Sequence, residues 1–172
     1  MFKIKNTIAL LFVFVMLLSC NRQKPQLPSN KGSETDTSTV SLLTINRNLA
    51  KKEDVCLKQY ALHKDKSFKR NELGFWYKID HTGKGNGIKD STVCKISYRL
   101  STLKGKELQN EMKQVAIGKK QVATGLEEGL KLMNKGDSAT FIIPWYLAYG
   151  MKGSEPLIPP YTSLIYKVKV FN

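Results

Sequence analysis

The residue types that carry most enzyme chemistry are scarce in this sequence. Among 172 residues there are only 3 cysteines and 2 histidines, and 14 acidic residues face 28 basic ones. His63 and His81 have no cysteine or carboxylate at metal-ligand spacing, which argues against a zinc site. The chain also lacks a G-x-S-x-G element, and its glycine loop at 83–87 lacks the spacing of a phosphate-binding loop. We therefore expect no metal and no cofactor.

The sequence also lacks an apolar run long enough for an ordinary membrane span. Its first residues have the layout of a secretory signal, in which Lys3 and Lys5 precede an apolar run at 8–18 that ends in Leu-Leu-Ser-Cys. This ending resembles a bacterial lipobox, with cleavage before Cys20 and lipid attached to its sulfur. The alternative is an ordinary signal in which Cys20 is incidental. We predict a lipoprotein signal at 1–19 and a lipid anchor without a spanning helix.

Acidic residues are too few to balance the basic ones, and the formal net charge is +14. Such a charge could favour nucleic acid, but an exported chain seldom meets any, so we predict no nucleic-acid partner. Contact with an anionic membrane or envelope surface fits better. The simplest interpretation remains a solvated basic surface.

Two cysteines remain once Cys20 is assigned to lipid. Cys56 and Cys94 could pair in an oxidising compartment, but one bridge is not a disulfide framework. Cys94, Ile96 and Tyr98 share one face of a strand, which favours a buried thiol at Cys94.

The segment at 20–40 has almost no large apolar residues and is predicted to be a flexible tether. A helical extension follows at 41–70, with its helix at 41–63. Its apolar stripe is thin and consists of Ile45, Leu49, Cys56 and Tyr60. We expect this helix to pack loosely on the domain or to serve as a contact surface.

The domain at 71–172 follows a period of two along most of its length. Strands are predicted at 74–79 and 93–103, then a short strand, a loop and another strand within 106–121, and finally strands at 138–143 and 162–170. One short helix is predicted at 122–134, with Gly136 as a left-handed cap. Four or five antiparallel strands with one helix covering a sheet face predict an α+β fold.

The remaining candidates for function are aromatic and aliphatic. Three tyrosines, Tyr98, Tyr149 and Tyr166, converge with the apolar side of the helix, whereas Leu130 and Met133 are expected to be plain core. Tyrosine hydroxyls need partners, and a partly open pocket supplies them. The paired carboxylates of Glu127 and Glu128 point about 100° apart on a helix, so we assign them to the helix dipole.

Four motifs in combination resemble the FKBP-type peptidyl-prolyl cis-trans isomerases. They are V-A-T-G-L-E-E-G-L, G-D-S-A-T-F-I-I-P, L-A-Y-G and I-P-P-Y-T-S-L-I-Y, and the resemblance covers about residues 73–171. It implies an antiparallel half-barrel sheet wrapped around one short helix. Bacterial lipoprotein members with an added N-terminal helix, some associated with gliding motility, are the most similar.

The resemblance also implies the site. Tyr98 would be a pocket tyrosine, the Tyr149 hydroxyl would reach the prolyl amide, and the backbone N–H of Ala123 would meet the substrate carbonyl. Further substrate-binding positions are Leu108, Gln109, Val115, Val122, Leu126, Leu157, Ile158 and Tyr166. The family often has aromatic residues at the positions of Leu108 and Leu126 and aspartate at that of Gln109.

Two functions follow from this resemblance. The first is an isomerase that assists the folding of envelope proteins and binds proline-containing clients. The second is a module of low activity that binds proline-containing segments of a partner, in gliding motility or secretion. In either case we expect a monomer anchored by lipid, on the outer membrane and facing the periplasm.

Overall fold

The computed structural model describes residues 37–171 of the chain, which form two helices and six strands. The predicted signal, Cys20 and the tether up to residue 36 lie outside the described residues. The elements in chain order are α1 (Thr37–Lys64), β1 (Lys69–Arg70), β2 (Trp76–His81), β3 (Val93–Thr102), β4 (Glu107–Ala116), α2 (Thr124–Leu130), β5 (Ser138–Ile143) and β6 (Leu164–Val170), with a 3-10 turn at Trp145–Leu147.

The six strands form one sheet in the order β1-β2-β5-β6-β3-β4, and every pair is antiparallel. Its inner face packs against α2, so the predicted α+β architecture is confirmed. In β6 the inner residues Leu164, Tyr166, Val168 and Val170 are buried, while Lys167 and Lys169 between them are exposed. This alternation is the expected consequence of the two-residue period of a strand.

Helix α2 lies against β5 because two glycines allow a close approach. A Cβ on Gly125 would lie 2.5 Å from the Ile143 side chain, and one on Gly129 would lie 2.7 Å from the Phe141 ring. Such distances are shorter than real Cβ contacts, so only glycine fits at both positions. The helix brings its apolar side to the centre of the sheet, and Leu130 and Met133 are core residues as predicted.

Two predicted element bounds are wrong. Helix α2 ends at Leu130 instead of near residue 134, because the N–H groups of Leu132 and Met133 bond to the carbonyls three residues earlier and tighten the chain into turns. Gly136 has the predicted positive φ, but it lies in the turn before β5. The segment at 106–121 contains one continuous strand, β4, because its polar residues pair along the whole of β3.

The predicted apolar stripe of α1 is also wrong. Ile45, Leu49 and Cys56 are exposed, and the helix instead buries Leu57 and Ala61 against the outer face of the sheet. There they join a second apolar cluster with Phe68, Trp76 and Ile142, against which Tyr60 packs. The helix begins at Thr37, inside the predicted tether, and its second half packs closely on the domain. Within residues 37–171, no helix is both long and apolar enough to cross a membrane.

The two cysteines of the described residues are both free thiols. Cys94 is buried on the inner face of β3, where its sulfur lies 3.7 Å from the carbonyl oxygen of Val115, whereas Cys56 is exposed on α1. The core role predicted for Cys94 is confirmed, and the two thiols do not pair.

Candidate active site

Three tyrosines from separate parts of the chain meet on the inner side of the sheet. The rings of Tyr98 on β3 and Tyr166 on β6 lie 5.6 Å apart between centroids at an angle of 54°. The Tyr166 hydroxyl donates a hydrogen bond of 3.4 Å to the hydroxyl oxygen of Tyr149, which follows the 3-10 turn. The Tyr149 proton is then available to an acceptor on a ligand. The structure therefore assembles the aromatic wall that the sequence predicts.

Below this wall lies a fully apolar floor. Leu126 and Val115 have no exposed surface, and Ile158 is 4% exposed in the loop before β6. Leu108, Val122 and Tyr149 are only partly buried and pack around the same cluster. The buried residues thus form the base of the site and the partly buried ones its opening. Such an arrangement suits a small apolar ring more than a charged ligand.

Two predicted substrate-binding residues lie outside this apolar cluster. Leu157 is 52% exposed, so it does not contribute to the floor. Gln109 is partly exposed on β4 opposite Leu100, and its side chain bonds to that of Glu111. Gln109 nevertheless shares the inner face of β4 with Glu111 and Val115, because it lies an even number of residues from both and opposite the buried Leu100.

Glu111 is a polar site residue that the sequence reasoning missed. It lies directly opposite Tyr98 in the β3–β4 register, and its carboxylate accepts a short hydrogen bond from the Tyr98 hydroxyl. This bond is the largest cause that lowers the pKa of Glu111, with further lowering by Gln109 and Lys113. The register of β4 could have revealed Glu111 had this segment been predicted as one strand.

The pKa values of two site tyrosines, Tyr98 and Tyr166, are raised above the usual value. Burial raises the pKa of Tyr98, and the Glu111 carboxylate raises it further. Burial is also the largest cause that raises the pKa of Tyr166. Both side chains are therefore neutral hydrogen-bond donors at physiological pH, as an apolar site requires.

Ala123 places a backbone donor at the edge of the site. It is the N-terminal capping residue of α2 with φ −54° and ψ 141°, and its carbonyl accepts the N–H groups of Leu126 and Glu127. Among the described residues, no acceptor is bonded to the Ala123 N–H itself. The first N–H groups of a helix lack partners within the helix, so this one is open to a substrate carbonyl.

Glu127 and Glu128 have separate roles, and neither faces the other. Glu127 is 6% exposed, and its carboxylate accepts the N–H groups of Gly118 and Lys120 in the loop before α2. Glu128 instead pairs with Lys131 at 3.0 Å. Glu127 therefore holds the loop that leads to Val122 and Ala123, a role more specific than the predicted one. Among residues 37–171, no group of three or more side chains is placed to bind a metal ion.

Comparison with known proteins points to one family. Residues 85–171 match the FKBP-type peptidyl-prolyl cis-trans isomerase family. The probable FKBP-type peptidyl-prolyl cis-trans isomerase of Haemophilus influenzae is 35% identical over 112 residues, which cover 63% of this chain and 46% of that protein. FkpA of Escherichia coli, another such isomerase by name, is 33% identical over 112 residues, 63% of this chain and 41% of that protein. The chain thus spans less than half the length of these relatives.

Solved structures agree with this result. The crystal structure of FkpA from Escherichia coli has a TM-score of 0.62 at 28% identity and covers 83% of this chain and 73% of that chain. The crystal structure of AtFKBP13 has a TM-score of 0.58 at 23% identity, covers 61% of this chain and 97% of that chain, and is similar in fold alone.

Proposed function

Because this chain belongs to the FKBP-type peptidyl-prolyl cis-trans isomerase family, we propose that it catalyses rotation about X-Pro amide bonds in protein clients. The single observation that carries the proposal is the site itself, in which Tyr98, Tyr149 and Tyr166 stand over the buried Leu126. Ala123, which caps the start of α2, belongs to the same apolar cluster.

Amide rotation needs no acid, base or metal. The barrier is about 18–20 kcal/mol, because the planar amide loses its resonance in the twisted state. The twisted amide is less polar at its carbonyl, so a dry apolar floor favours it over the planar form. Leu126, Val115 and Ile158 supply this floor. Interactions that form only with the twisted amide then lower the barrier.

Two donors would hold the substrate during rotation. The Ala123 N–H is placed for the carbonyl of a residue next to the bond, and the Tyr149 hydroxyl, oriented by Tyr166, is placed for the prolyl amide. Because both donors are fixed before substrate binds, their orientation costs little at the moment of reaction. Uncatalysed isomerisation takes about 10–100 s, so even a modest acceleration would assist folding.

The test is a refolding-coupled isomerisation assay with purified protein and its Tyr149→Phe variant. We expect the variant to lose kcat/KM by about tenfold, since a hydrogen bond that forms only with the twisted amide and contributes about 1.4 kcal/mol accelerates rotation by that factor. Tyr60→Phe is the matched control, because Tyr60 packs on the outer face of the sheet. A Tyr149→Phe enzyme as active as wild type would remove Tyr149 from the mechanism.

A second function is a binding module that holds proline-containing segments and turns over slowly. Leu108 and Leu126 favour it, since aliphatic side chains give a smaller contact with a prolyl ring than the aromatic ones common in the family. Measuring prolyl-peptide affinity beside turnover separates the two functions. Retained binding with no acceleration by wild type would select the module, for which a partner in gliding motility or secretion is the proposed client.

We propose further that the protein works in the bacterial envelope as a lipid-anchored monomer. The support is the lipobox-like sequence before Cys20, which would leave the domain on a tether at the outer membrane, facing the periplasm. Metabolic labelling with a radiolabelled fatty acid should label wild type but not Cys20→Ala. Wild-type protein that carries no label and is recovered in a soluble fraction would contradict the lipid anchor.

A further inference from the structure

Two adjacent carboxylates on α1 are linked to the segment that carries Tyr149, Asp54 directly and Glu53 through Ser163. Glu53 accepts a short hydrogen bond from the Ser163 hydroxyl, whose oxygen in turn accepts the N–H of Trp145 at 3.0 Å. Asp54 accepts the Tyr146 hydroxyl at 2.5 Å. These are the only acidic residues in the α1 sequence, and both are turned toward the domain.

The contacted residues, Trp145 and Tyr146, begin the turn that leads to Tyr149. The carbonyl of Trp145 accepts the N–H of Ala148 at 3.1 Å and that of Gly150 at 2.8 Å. Tyr149 therefore lies between two residues that are both bonded to Trp145. A displacement of Trp145 would move the Tyr149 hydroxyl with it.

The Tyr146 hydroxyl lies in a space that exists because Gly74 has no side chain. Gly74 has φ +105°, and a Cβ at that position would lie 2.8 Å from the Tyr146 hydroxyl oxygen. The Arg70 guanidinium lies 3.3 Å from the second oxygen of Asp54 and fixes this carboxylate from the other side. The contact is thus held by partners from α1, β1 and the turn before β2.

We infer that Glu53 and Asp54 are positioning residues for Tyr149, through which α1 fixes the turn at 145–150 and presents the tyrosine hydroxyl to the bound prolyl amide. Neither carboxylate touches the site, so both act through Trp145 and Tyr146. This inference rests on the proposed isomerase function and assigns α1 a role in it.

The test uses the full chain with Asp54→Ala, Glu53→Ala and Tyr146→Phe. We expect each to lower kcat by about fivefold, because small misplacements of a positioned group reduce turnover strongly. Affinity for a prolyl peptide should stay within about twofold, since the apolar floor is unchanged. Asp54→Asn and Glu53→Gln should restore most of the turnover, because an amide oxygen still accepts the hydroxyl.

Amide hydrogen exchange measures the stability of the turn at 145–150 independently of activity. Exchange at Ala148 and Gly150 should accelerate in the alanine variants, while the amides of β3 and β6 stay protected. Asp80→Ala is the matched control, because Asp80 accepts the Thr140 hydroxyl at 2.6 Å on the outer face of the sheet. Unchanged exchange at Ala148 and Gly150 would overturn the inference.

The remaining outcomes are also decisive. Faster exchange in the turn with unchanged kcat in an active enzyme would overturn the positioning role. Should Asp54→Ala expose the whole domain to exchange, Tyr146→Phe, which keeps the ring packing, replaces it as the deciding variant. A wild type that binds prolyl peptide without accelerating isomerisation refutes the proposed function, and faster exchange at Ala148 and Gly150 in the alanine variants would then still support the role of α1 in fixing the turn.

Discussion

At the scale of single residues, the charge beside the candidate site comes from an unexpected position. Gln109 is neutral where the family often has aspartate, yet the Tyr98 hydroxyl still donates to a carboxylate, that of Glu111 across the β3–β4 pair. A hydrogen bond to a charged acceptor is roughly twice as strong as a neutral one. Glu111 thus fixes the Tyr98 ring in the orientation in which it meets Tyr166.

Glu111→Gln should weaken this orientation without removing the acceptor. We expect kcat/KM to fall by about threefold and the free energy of unfolding by about 1 kcal/mol, the usual worth of a hydrogen bond. Tyr98→Phe removes the same bond, so the double variant should be little worse than Tyr98→Phe alone. Chemical denaturation and the isomerisation assay measure the two effects.

Glu107→Gln is the control on the same strand, because its carboxylate pairs instead with Arg99 at 3.3 Å. Effects of Glu111→Gln and Tyr98→Phe that add in full would show that the two side chains act separately and would contradict this account.

At the scale of elements, some strands are determined by local sequence patterns and others by tertiary contacts. The strands β2, β3, β5 and β6 follow from alternation, which a short stretch of sequence displays by itself. Strand β4 does not show it, since only its pairing with β3 keeps so polar a segment extended. The pocket tyrosines could be predicted from motifs, whereas Glu111 required the strand register.

Helix α1 also shows that a sequence pattern alone does not identify which face of an element is buried. Its visible stripe of Ile45, Leu49 and Cys56 faces solvent, and the buried face is defined by Leu57 and Ala61 together with Glu53 and Asp54. Two carboxylates on a buried face look unfavourable in a sequence, because their hydroxyl partners are more than ninety residues away. Tertiary contacts therefore reverse the assignment that periodicity alone gives.

Leu57→Ala tests how much this helix contributes to stability. Leu57 has no exposed surface, so its truncation should lower the free energy of unfolding by about 2–5 kcal/mol. Leu43→Ala on the same helix should change it by only about 0.5 kcal/mol, since Leu43 is 62% exposed. Urea denaturation gives both values, and equal effects would show that the helix docks differently.

At the scale of the whole molecule, the sheet separates two apolar clusters. The inner one holds α2 and the candidate site, and the outer one holds the second half of α1. Tyr98 and Tyr166 are buried on the inner side, and Tyr146 is partly buried at the contact with α1. Ionisation of these three hydroxyls should therefore make the stability of both regions, the site and the contact with α1, depend on alkaline pH.

Burial is the largest cause that raises the pKa of Tyr98, Tyr146 and Tyr166 above the value of about 10 for an unfolded chain. Below about pH 10 both states keep these protons, so the contribution to stability is fully present. Above it the unfolded chain loses them first. The free energy of unfolding should then fall by up to about 1.4 kcal/mol per pH unit for each tyrosine.

Denaturation curves measured between about pH 9 and about pH 11.5 give this slope, and Tyr166→Phe isolates one of the three contributions. We expect the variant to have a shallower slope than wild type, because one phenol fewer ionises on unfolding. Phenolate absorbance should appear for these tyrosines only as the protein unfolds. A variant with the wild-type slope, or phenolate formation at Tyr166 in the folded protein, would contradict the prediction, since either result requires a Tyr166 hydroxyl that ionises as easily folded as unfolded.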